Sequence, residues 1–385
     1  MDLDDDELRA AGPLKWAVDE PGVIPAWVAE MDFAVPEPIQ RAVDGVVRRG
    51  VFGYADPRDR AEIARALADF AQARWGHSVD PGRVVLVGDV IEALGLTLRH
   101  LARPGALIVP TPVYPPFLVL GRACGRELVQ VPLLRGADGP FRGRLTLDVD
   151  AIDRHAAAGA STLLLCHPHN PVGRCYTRAE LEAVAEVAIR HDLHVISDEI
   201  HAPLALPGVA FVPFAAVAPP EMALSTLMSA TKAFSMPGLR CAQVISHREQ
   251  DHARLTQLHP ALNHAMTTLG QRATLAAYRE GGPWLDTVRS RIADNHERFR
   301  RALAASVPEV LIEPAEATYL AWLDIAGLAV ADPAGAALDH LVRVDGQGAG
   351  YGLGGQHHVR VNLATSPARV DEIAARLARA WGAVS

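Results

Sequence analysis

The stretch SATKAFSMPGLR, residues 229–240, follows directly on the apolar run of residues 223–228. A short apolar run of this kind predicts a buried strand, which places Lys232 at the end of that strand. Burial disfavours the charged form of a lysine, so such an amine can act as a nucleophile and base at neutral pH. Ser229 and Arg240 add a hydroxyl donor and a fixed positive charge, which together suit a phosphate. Taken alone, these residues also fit a surface lysine in a hydroxyl-rich loop.

The composition limits the classes of protein to which the chain can belong. With 385 residues, 49% of them hydrophobic and 21% charged, it can bury a large core in two or three domains. The net charge of -8 and the lack of a Lys/Arg cluster argue against a nucleic-acid-binding surface, which needs a concentrated basic face. Lysine occurs only as Lys15 and Lys232, and arginine supplies the other positive charges. We therefore predict that the chain needs an amine at Lys232, and we expect no second buried lysine.

Three features of the sequence indicate where the protein resides and whether it binds a metal. They are the cysteines, the histidines and the first residues. The cysteines form no C-x-x-C pair, which argues against a disulfide framework or a zinc ribbon and fits a reducing compartment. The 16 histidines show no spacing typical of metal ligands, so no metal site is predicted. Residues 1–7 are acidic and lack signal-peptide features, and no run reaches the roughly 18 apolar residues of a membrane span. We predict a cytoplasmic protein with no membrane partner.

From residue 84 onward, short apolar runs alternate with helical patterns. The runs at residues 84–87, 107–109, 163–166 and 194–197 predict strands, and stretches such as 91–101 and 178–190 predict helices between them. This alternation predicts an α/β fold with a mostly parallel sheet covered on both faces. Ligands in such folds bind at the carboxyl ends of the strands.

Polar residues follow several of these predicted strands. Asp89 and Val90 join the first strand to a helix, whose N-terminal amides can receive a phosphate. The prolines around Tyr114 hold its ring stiffly over the strand ends. Asn170 precedes a proline in a turn, and Asp198 ends a strand, where a buried carboxylate needs a cation such as a protonated pyridine nitrogen. Taken singly, Asn170 also fits a turn residue and Asp198 a helix cap, but their order before the lysine favours one site.

This series of motifs resembles a known enzyme family. Asn170-Pro171-Val172-Gly173, Ser197-Asp198-Glu199-Ile200-His201 and Ser229-Ala230-Thr231-Lys232 resemble fold-type I enzymes of the class I/II aminotransferase superfamily, which depend on pyridoxal 5'-phosphate (PLP). Residues 27–33, the loop of residues 114–117 and the position of His201 resemble the MalY/PatB group of cystathionine and cysteine-S-conjugate β-lyases. The resemblance implies a large domain with a mostly parallel sheet and a smaller C-terminal α+β domain.

The resemblance also implies roles for individual residues. Lys232 would bind PLP covalently, Asp198 would pair with the pyridine nitrogen, Asn170 would bond the ring hydroxyl, and Tyr114 would stack on the ring. General aminotransferases have a tyrosine at the position of His201, so the contact of this cofactor-binding residue with the ring hydroxyl is expected to differ. The predicted phosphate ligands are Ser229, Arg240, the amides of Asp89 and Val90, and Tyr54 of a partner subunit.

The C-terminal part of the chain predicts a second unit. Residues 318–323 and 358–363 read as strands and residues 367–381 as a closing helix. Arg360 alternates with apolar residues and is expected to face the cleft and bind the substrate α-carboxylate together with Asn170, although a structural salt bridge is the alternative. The glycine-rich residues 346–355 precede a strand, so we interpret them as a loop beside the substrate and not as a nucleotide loop. The predicted limits are an N-terminal arm at 1–45, belonging to the small domain, a large PLP-binding domain at 46–285 and a small domain at 286–385.

The resemblance further implies a homodimeric enzyme with shared active sites and an amino acid as its small-molecule substrate. The predicted reaction is β-elimination at the carbon–sulfur bond of cystathionine or another cysteine S-conjugate. An aminotransferase using the same cofactor is the alternative enzyme. A regulatory or binding protein that keeps the fold without turnover is a third possibility, against which the intact Lys232 argues.

Overall fold

The computed structural model describes residues 1–54, 56–136, 143–258 and 266–382. Its strands in chain order are β1 (Ile24–Ala26), β2 (Val84–Val87), β3 (Leu107–Thr111), β4 (Leu128–Pro132), β5 (Leu134–Arg135), β6 (Leu145–Thr146), β7 (Thr162–Cys166), β8 (His194–Asp198), β9 (Leu224–Met228), β10 (Ala242–Ser246), β11 (Leu311–Ile312), β12 (Leu320–Asp324), β13 (Val342–Val344) and β14 (His358–Asn362). Its α-helices are α1 (Asp5–Ala11), α2 (Leu14–Ala17), α3 (Glu37–Arg49), α4 (Pro57–Trp75), α5 (Val90–His100), α6 (Pro115–Ala123), α7 (Val149–Ala157), α8 (Arg178–Arg190), α9 (Glu249–Thr256), α10 (Thr268–Glu280), α11 (Gly282–Ser306), α12 (Pro333–Asp339) and α13 (Pro367–Trp381).

The large sheet has seven strands in the order β2-β10-β9-β8-β7-β3-β4. Strand β10 runs antiparallel to β2 and β9, and the other neighbours pair in parallel. The predicted mostly parallel sheet is therefore confirmed. Because the parallel strands share one direction, their carboxyl ends meet at one edge, and the polar residues after β3, β7, β8 and β9 are brought together there.

Helices cover both faces of this sheet. Along β7, Leu163 and Leu165 pack with the cluster that includes α7 and α8, whereas Leu164 packs with α5 and α6. This alternation follows from the two-residue period of a strand, which sends successive side chains to opposite faces. The apolar run that predicted β7 is thus buried on both sides, as the central strand of a covered parallel sheet requires.

The C-terminal unit contains a smaller antiparallel sheet, in the order β11-β12-β14, with α13 packed near it. Strand β1 of the N-terminal arm pairs in parallel with β13, so the arm joins this unit through backbone hydrogen bonds. Helix α11 runs from Gly282 to Ser306, and the predicted boundary between residues 285 and 286 falls inside it. The three domain limits stay a prediction.

The expectation that no second lysine is buried is wrong. Lys15 is only 1% exposed, and its Nζ lies 2.8 Å from Oδ1 of Asp32. The same oxygen accepts a hydrogen bond from Trp16 Nε1 at 2.7 Å, and Oδ2 lies 3.6 Å from Arg369. Sequence reasoning missed this site because the carboxylate that makes burial of Lys15 tolerable lies on a different segment of the arm.

Candidate active site

A pocket of about 560 Å³ opens at the carboxyl edge of the large sheet, between this sheet, the N-terminal arm and the C-terminal unit. Its wall is largely apolar, with a few convergent polar groups, which is typical of a small-molecule site. Most of the predicted site residues line it, namely Asp89, Val90, Tyr114, Asn170, Asp198, His201, Lys232 and Arg360.

Lys232 lies just past the end of β9 and extends into the pocket. The side chain is partly exposed because it opens onto this pocket, yet protein surrounds the amine. This burial, together with the nearby charge of Arg360, lowers the pKa of Lys232 to about 8. The Nζ atom donates to the backbone carbonyl of Ala29 at 2.9 Å, and Tyr319 Oη donates to the same carbonyl at 3.0 Å. The amine is therefore held in place and is easily deprotonated near neutral pH.

Asp198 is the last residue of β8 and is 4% exposed. Its Oδ1 accepts a hydrogen bond from the backbone amide of Ile200 at 3.1 Å. Burial raises the pKa of Asp198 to about 7, against the smaller opposing effects of that hydrogen bond and of Lys232. Within the described part of the chain, no cation forms an ion pair with this carboxylate. The site therefore offers a buried acceptor that an incoming cation would stabilise in its ionised form.

Arg360 lies on β14 and is 5% exposed. Its Nη1 donates to Asn170 Oδ1 at 3.2 Å, and its Nη2 donates to the carbonyl of Trp27 and to Asp345 Oδ2, each at 3.0 Å. Its Nε is buried without a hydrogen-bond partner in the described structure. Arg360 thus faces the cleft and also forms a structural salt bridge with Asp345, and its binding of a substrate carboxylate stays a prediction.

Burial shifts the pKa values of two aromatic side chains in the pocket wall, Tyr114 and His201. Tyr114 immediately precedes α6, where its ring meets Phe117 edge-on at 5.4 Å, and burial raises its pKa. His201 is 3% exposed, and burial lowers its pKa to about 3, so the ring is neutral. The Nδ1 atom of His201 is buried and has no hydrogen-bond partner among the described residues. A ligand in the pocket could supply that partner.

The remaining predicted residues lie at the side of the pocket or outside it. Asp89 caps α5 by accepting from the amide of Glu92 at 2.8 Å, and its Oδ2 accepts from Arg240 Nη2 at 2.7 Å. Ser229 Oγ donates to the carbonyl of Cys241 at 2.8 Å, and Ser229 is not among the residues that line the pocket. Tyr54 is 99% exposed and does not line the pocket of its own chain.

The N-terminal arm supplies a part of the site that sequence reasoning missed. The carbonyls of residues 27–30 accept hydrogen bonds in turn from Arg360, Asn362, Lys232 and again Asn362, at distances between 2.6 and 3.0 Å. Lys15 Nζ also lies 3.4 Å from the carbonyl of residue 30. These contacts join positions up to 334 residues apart and involve backbone atoms, so no side-chain pattern could have indicated them.

The described residues show two further features of the chain. No group of three or more His, Cys, Asp or Glu side chains in the described ranges is arranged to hold a metal ion. None of the helices in those ranges combines the length and apolar character that crossing a membrane requires.

Comparisons with known proteins identify the family. Cystathionine beta-lyase of Corynebacterium glutamicum is 32% identical over 97% of this chain and 98% of its own, and cystathionine beta-lyase PatB of Bacillus subtilis is 30% identical over 91% and 90%. The crystal structure of cystalysin from Treponema denticola, which contains a PLP cofactor, has a TM-score of 0.89 and 26% identity, covering 99% of this chain and 97% of its own. The fold is thus that of the fold-type I enzymes, as predicted. The family described as aminotransferase class I and II matches residues 29–377, and the chain belongs to it.

Proposed function

We propose that this protein is a PLP-dependent carbon–sulfur β-lyase acting on cystathionine or another L-cysteine S-conjugate. The observation that carries the proposal is the convergence of Lys232, Asp198 and Arg360 on one pocket. A primary amine can bind an aldehyde covalently, a buried carboxylate can pair with a protonated pyridine nitrogen, and a guanidinium can bind an α-carboxylate. Relatives named cystathionine beta-lyase, at 30 to 32% identity over nearly the whole chain, support the same reaction.

The residues of the pocket fit PLP. Asp198 is buried without an ion-pair partner in the described structure, and a protonated ring nitrogen would supply the missing cation. His201 has a buried nitrogen without a partner, which a polar ring substituent could satisfy. The N-terminus of α5 at Val90, with Arg240 beside it, suits an anionic phosphate. Thr231 lines the pocket next to Lys232, so its hydroxyl is a further candidate ligand that the sequence did not single out.

The roles of this chain's residues follow from that fit. PLP, when bound, supplies an electron-accepting ring that stabilises negative charge at the Cα atom of an amino acid. Asp198 would keep the ring nitrogen protonated, Tyr114 would cover the ring face, and Asn170 would donate to the ring hydroxyl. Arg360 would hold the substrate α-carboxylate, since its guanidinium is already fixed in the cleft.

Lys232 would also move the proton. Its Nζ would accept the proton from the substrate Cα, a role that suits a buried amine whose pKa is lowered to about 8. The carbonyl of Ala29 holds Nζ by a hydrogen bond at 2.9 Å and restricts the positions that the amine can occupy. The sulfur substituent would leave as a thiolate and take up the proton that Lys232 holds, and one water would hydrolyse the remaining enamine to pyruvate and ammonia.

A product assay tests the reaction. Purified protein supplied with cystathionine or an S-alkyl cysteine should release thiol, pyruvate and ammonia when no keto acid is added as an amino-group acceptor, and Lys232→Ala should release none of these products. Aminotransferases need a keto acid to take up the amino group, so activity that requires one and yields no thiol would establish the aminotransferase alternative. A wild-type protein that binds PLP but turns over neither class of substrate would favour a regulatory role.

We also propose a homodimer whose active sites are shared. Tyr54 is 99% exposed and lies outside its own pocket, and the neighbouring Phe52 and Val51 are 64% and 71% exposed, which suits contact with a second copy. Tyr54 of the partner subunit would then reach the phosphate. Mixing Tyr54→Phe with Lys232→Ala should restore part of the activity through hybrid dimers, whereas a strictly monomeric protein would contradict the proposal.

We propose a cytoplasmic location because the cysteines form no disulfide bonds. All of its cysteines are free, and three of them are buried, which suits a reducing compartment. Cell fractionation with an antibody against the protein tests this, and recovery from an oxidising compartment would contradict it.

A further inference from the structure

Tyr114 and Asn170, the proposed contacts of the cofactor ring face and ring hydroxyl, follow neighbouring strands of the large sheet. Tyr114 lies three residues after β3, and Asn170 lies four residues after β7. The pairing of these strands ends at Ile108 with Leu163, three residues before either strand ends. Pro110 has no amide proton with which β3 could continue the ladder. Strand pairing therefore does not fix the distance between Tyr114 and Asn170.

The carboxyl edge of the sheet is thus divided between β3 and β7. Strand β3 pairs with β4 along its whole length, and β7 does the same with β8. One half of the edge carries Tyr114, and the other half carries Asn170 and Asp198. The side chain of His169 spans the division between the two halves.

His169 is fully buried and directly precedes Asn170. Its Nε2 lies 2.7 Å from the carbonyl oxygen of Pro112, and its Nδ1 lies 2.7 Å from Tyr176 Oη. Because a carbonyl oxygen can only accept, Nε2 carries the proton and donates to Pro112, and Nδ1 accepts from Tyr176. Burial lowers the pKa of His169 to about 4, so the imidazole is neutral, as this arrangement requires.

The surroundings hold the imidazole in this orientation. Tyr176 is fully buried, and its ring lies under the Arg174 guanidinium at 5.6 Å. Nη2 of Arg174 donates to both carboxylate oxygens of Glu180, at 3.0 and 2.8 Å. The backbone amide of His169 donates to the carbonyl of Arg174 at 2.8 Å. The side of His169 that faces away from Pro112 is therefore fixed to its own segment of the chain.

The glycine-rich residues 346–355 support the Tyr114 segment from another direction. The amide of Val113 donates to the carbonyl of Tyr351 at 2.9 Å, and Gln347 and Tyr351 line the pocket. A Cβ atom on Gly348 would lie 2.3 Å from the carbonyl oxygen of His358, so glycine allows a close backbone approach there. This loop joins the Tyr114 segment to the C-terminal unit, whereas His169 joins it to Asn170.

Resting on the proposed function, in which Tyr114 covers the cofactor ring and Asn170 bonds its hydroxyl, we propose that His169 is a positioning residue for the cofactor. Its hydrogen bond to the carbonyl of Pro112 takes the place of the missing strand pairing and sets the distance between Tyr114 and Asn170. His169 does not line the pocket, so it acts on the cofactor through Tyr114. Loss of this bond frees the Tyr114 ring from its fixed position, although Tyr114 itself is unchanged.

A double-mutant cycle on PLP affinity tests this without requiring turnover. PLP is titrated into the cofactor-free protein, and its visible absorption gives the dissociation constant. Tyr114→Ala should weaken PLP binding by about tenfold, as loss of an aromatic ring contact does. His169→Asn, whose shorter side chain cannot reach Pro112 but can still bond Tyr176, should weaken it by about fivefold. The double variant should bind within about twofold of Tyr114→Ala, whereas independent effects would multiply to about fiftyfold.

Two matched variants separate positioning from general structure. His169→Gln has an amide long enough to donate to Pro112, so its PLP affinity should stay within about twofold of the wild type. His194→Asn makes the same change at a histidine that is 3% exposed, bonds Ser225 Oγ at 2.9 Å and lies at the amino end of β8. Its PLP affinity should equal that of the wild type. If His169→Asn does not fold, Tyr176→Phe takes its place in the cycle, because it removes the donor that orients the imidazole.

Multiplication of the two effects in the double variant, or wild-type affinity in His169→Asn, would overturn the inference. Equal weakening in His169→Gln and His169→Asn would also overturn it, because the bond to Pro112 would then not be the cause. These results leave the proposed function standing if the lyase assay succeeds. Wild-type affinity in Tyr114→Ala would instead refute the proposed role of Tyr114, and the inference with it.

Discussion

Replacing Asp198 by asparagine is expected to stabilise the protein in its cofactor-free form while impairing its activity. The side chain is buried at the end of β8, and a carboxylate there has lost most of its hydration. Asparagine has nearly the same shape and carries no charge, so it avoids this desolvation. The bond from the Ile200 amide can be retained, because the asparagine side chain keeps one acceptor oxygen.

The size of this expected change in the free energy of unfolding, and its dependence on pH, follow from the pKa of Asp198. Burial raises the pKa of Asp198 from 3.8 to about 7. Each pKa unit corresponds to about 1.4 kcal/mol, so ionised Asp198 lowers the free energy of unfolding by about 4 kcal/mol. Below pH 4 the carboxyl is protonated in both states and costs nothing. Between pH 4 and 7 the folded state binds more protons, so stability falls as the pH rises, and above pH 7 the whole loss is present.

Urea unfolding of cofactor-free wild type and Asp198→Asn at pH 4 and pH 8 measures the difference. The variant should equal the wild type at pH 4 and exceed it by about 4 kcal/mol at pH 8. Burial raises the pKa of Glu199 to about 8, and the nearby charge of Asp198 adds to this rise, so loss of that charge in the variant acts in the same stabilising direction at pH 8. Adding PLP should reverse the order, since the ionised carboxylate then has a cation partner.

The exposed Asp44, which pairs with Arg48 at 3.2 Å, provides the matched control. Asp44→Asn should change the free energy of unfolding by less than about 1 kcal/mol at either pH. A variant at position 198 that is less stable than the wild type at pH 8 without PLP would refute the reasoning, because it would show that the carboxylate is already paired.

Four other variants test the assignments. Lys232→Ala should lose the visible absorption of bound PLP and Lys15→Met should keep it; a fully absorbing Lys232→Ala would contradict the site. Asp32→Ala should lower the free energy of unfolding by about 3–5 kcal/mol, and Lys15→Met should lower it by less. Without Lys15, Asp32 retains a hydrogen bond from Trp16 and the charge of Arg369 at 3.6 Å, whereas without Asp32, Lys15 retains a backbone carbonyl at 3.4 Å. Urea unfolding ranks the two variants, and the opposite order would contradict the assigned pairing. Arg360→Ala should raise KM for the amino acid with PLP still bound, and unchanged kinetics would show that another group binds the carboxylate.

Much of the fold was predictable because the central strands are buried on both faces. Such strands are nearly continuous apolar runs, and each polar residue at their ends interrupts the pattern visibly. Lys232, Asp198 and Asn170 were found in this way, and the structure brings them to one pocket. Because parallel strands run in the same direction, residues that follow successive strands in the chain lie close together at one edge of the sheet.

Groups that act through long-range contacts could not be predicted in the same way. The sequence did not single out Asp345, because its partners Arg360 and Tyr351 become neighbours only when β13 and β14 lie side by side. Lys15 is flanked by apolar residues, but its burial depends on Asp32, which lies 17 positions further along the chain. The position of Ser229 in the sequence suggested a phosphate ligand but could not show that its hydroxyl also contacts Cys241 and Thr231. Its phosphate role stays a prediction.

The row of carbonyl groups in residues 27–30 has a consequence for mutagenesis. Alanine scanning replaces side chains and leaves these oxygens in place, so it would report this stretch as dispensable although it holds both Lys232 and Arg360. The sensitive positions are instead those that fix the path of the backbone, such as Asp32, whose carboxylate is buried with Lys15. Substitutions there would disturb the active site without touching a ligand. A screen for inactive variants should therefore recover anchoring residues such as Asp32 more often than residues 27–30, whose carbonyl groups make the contacts.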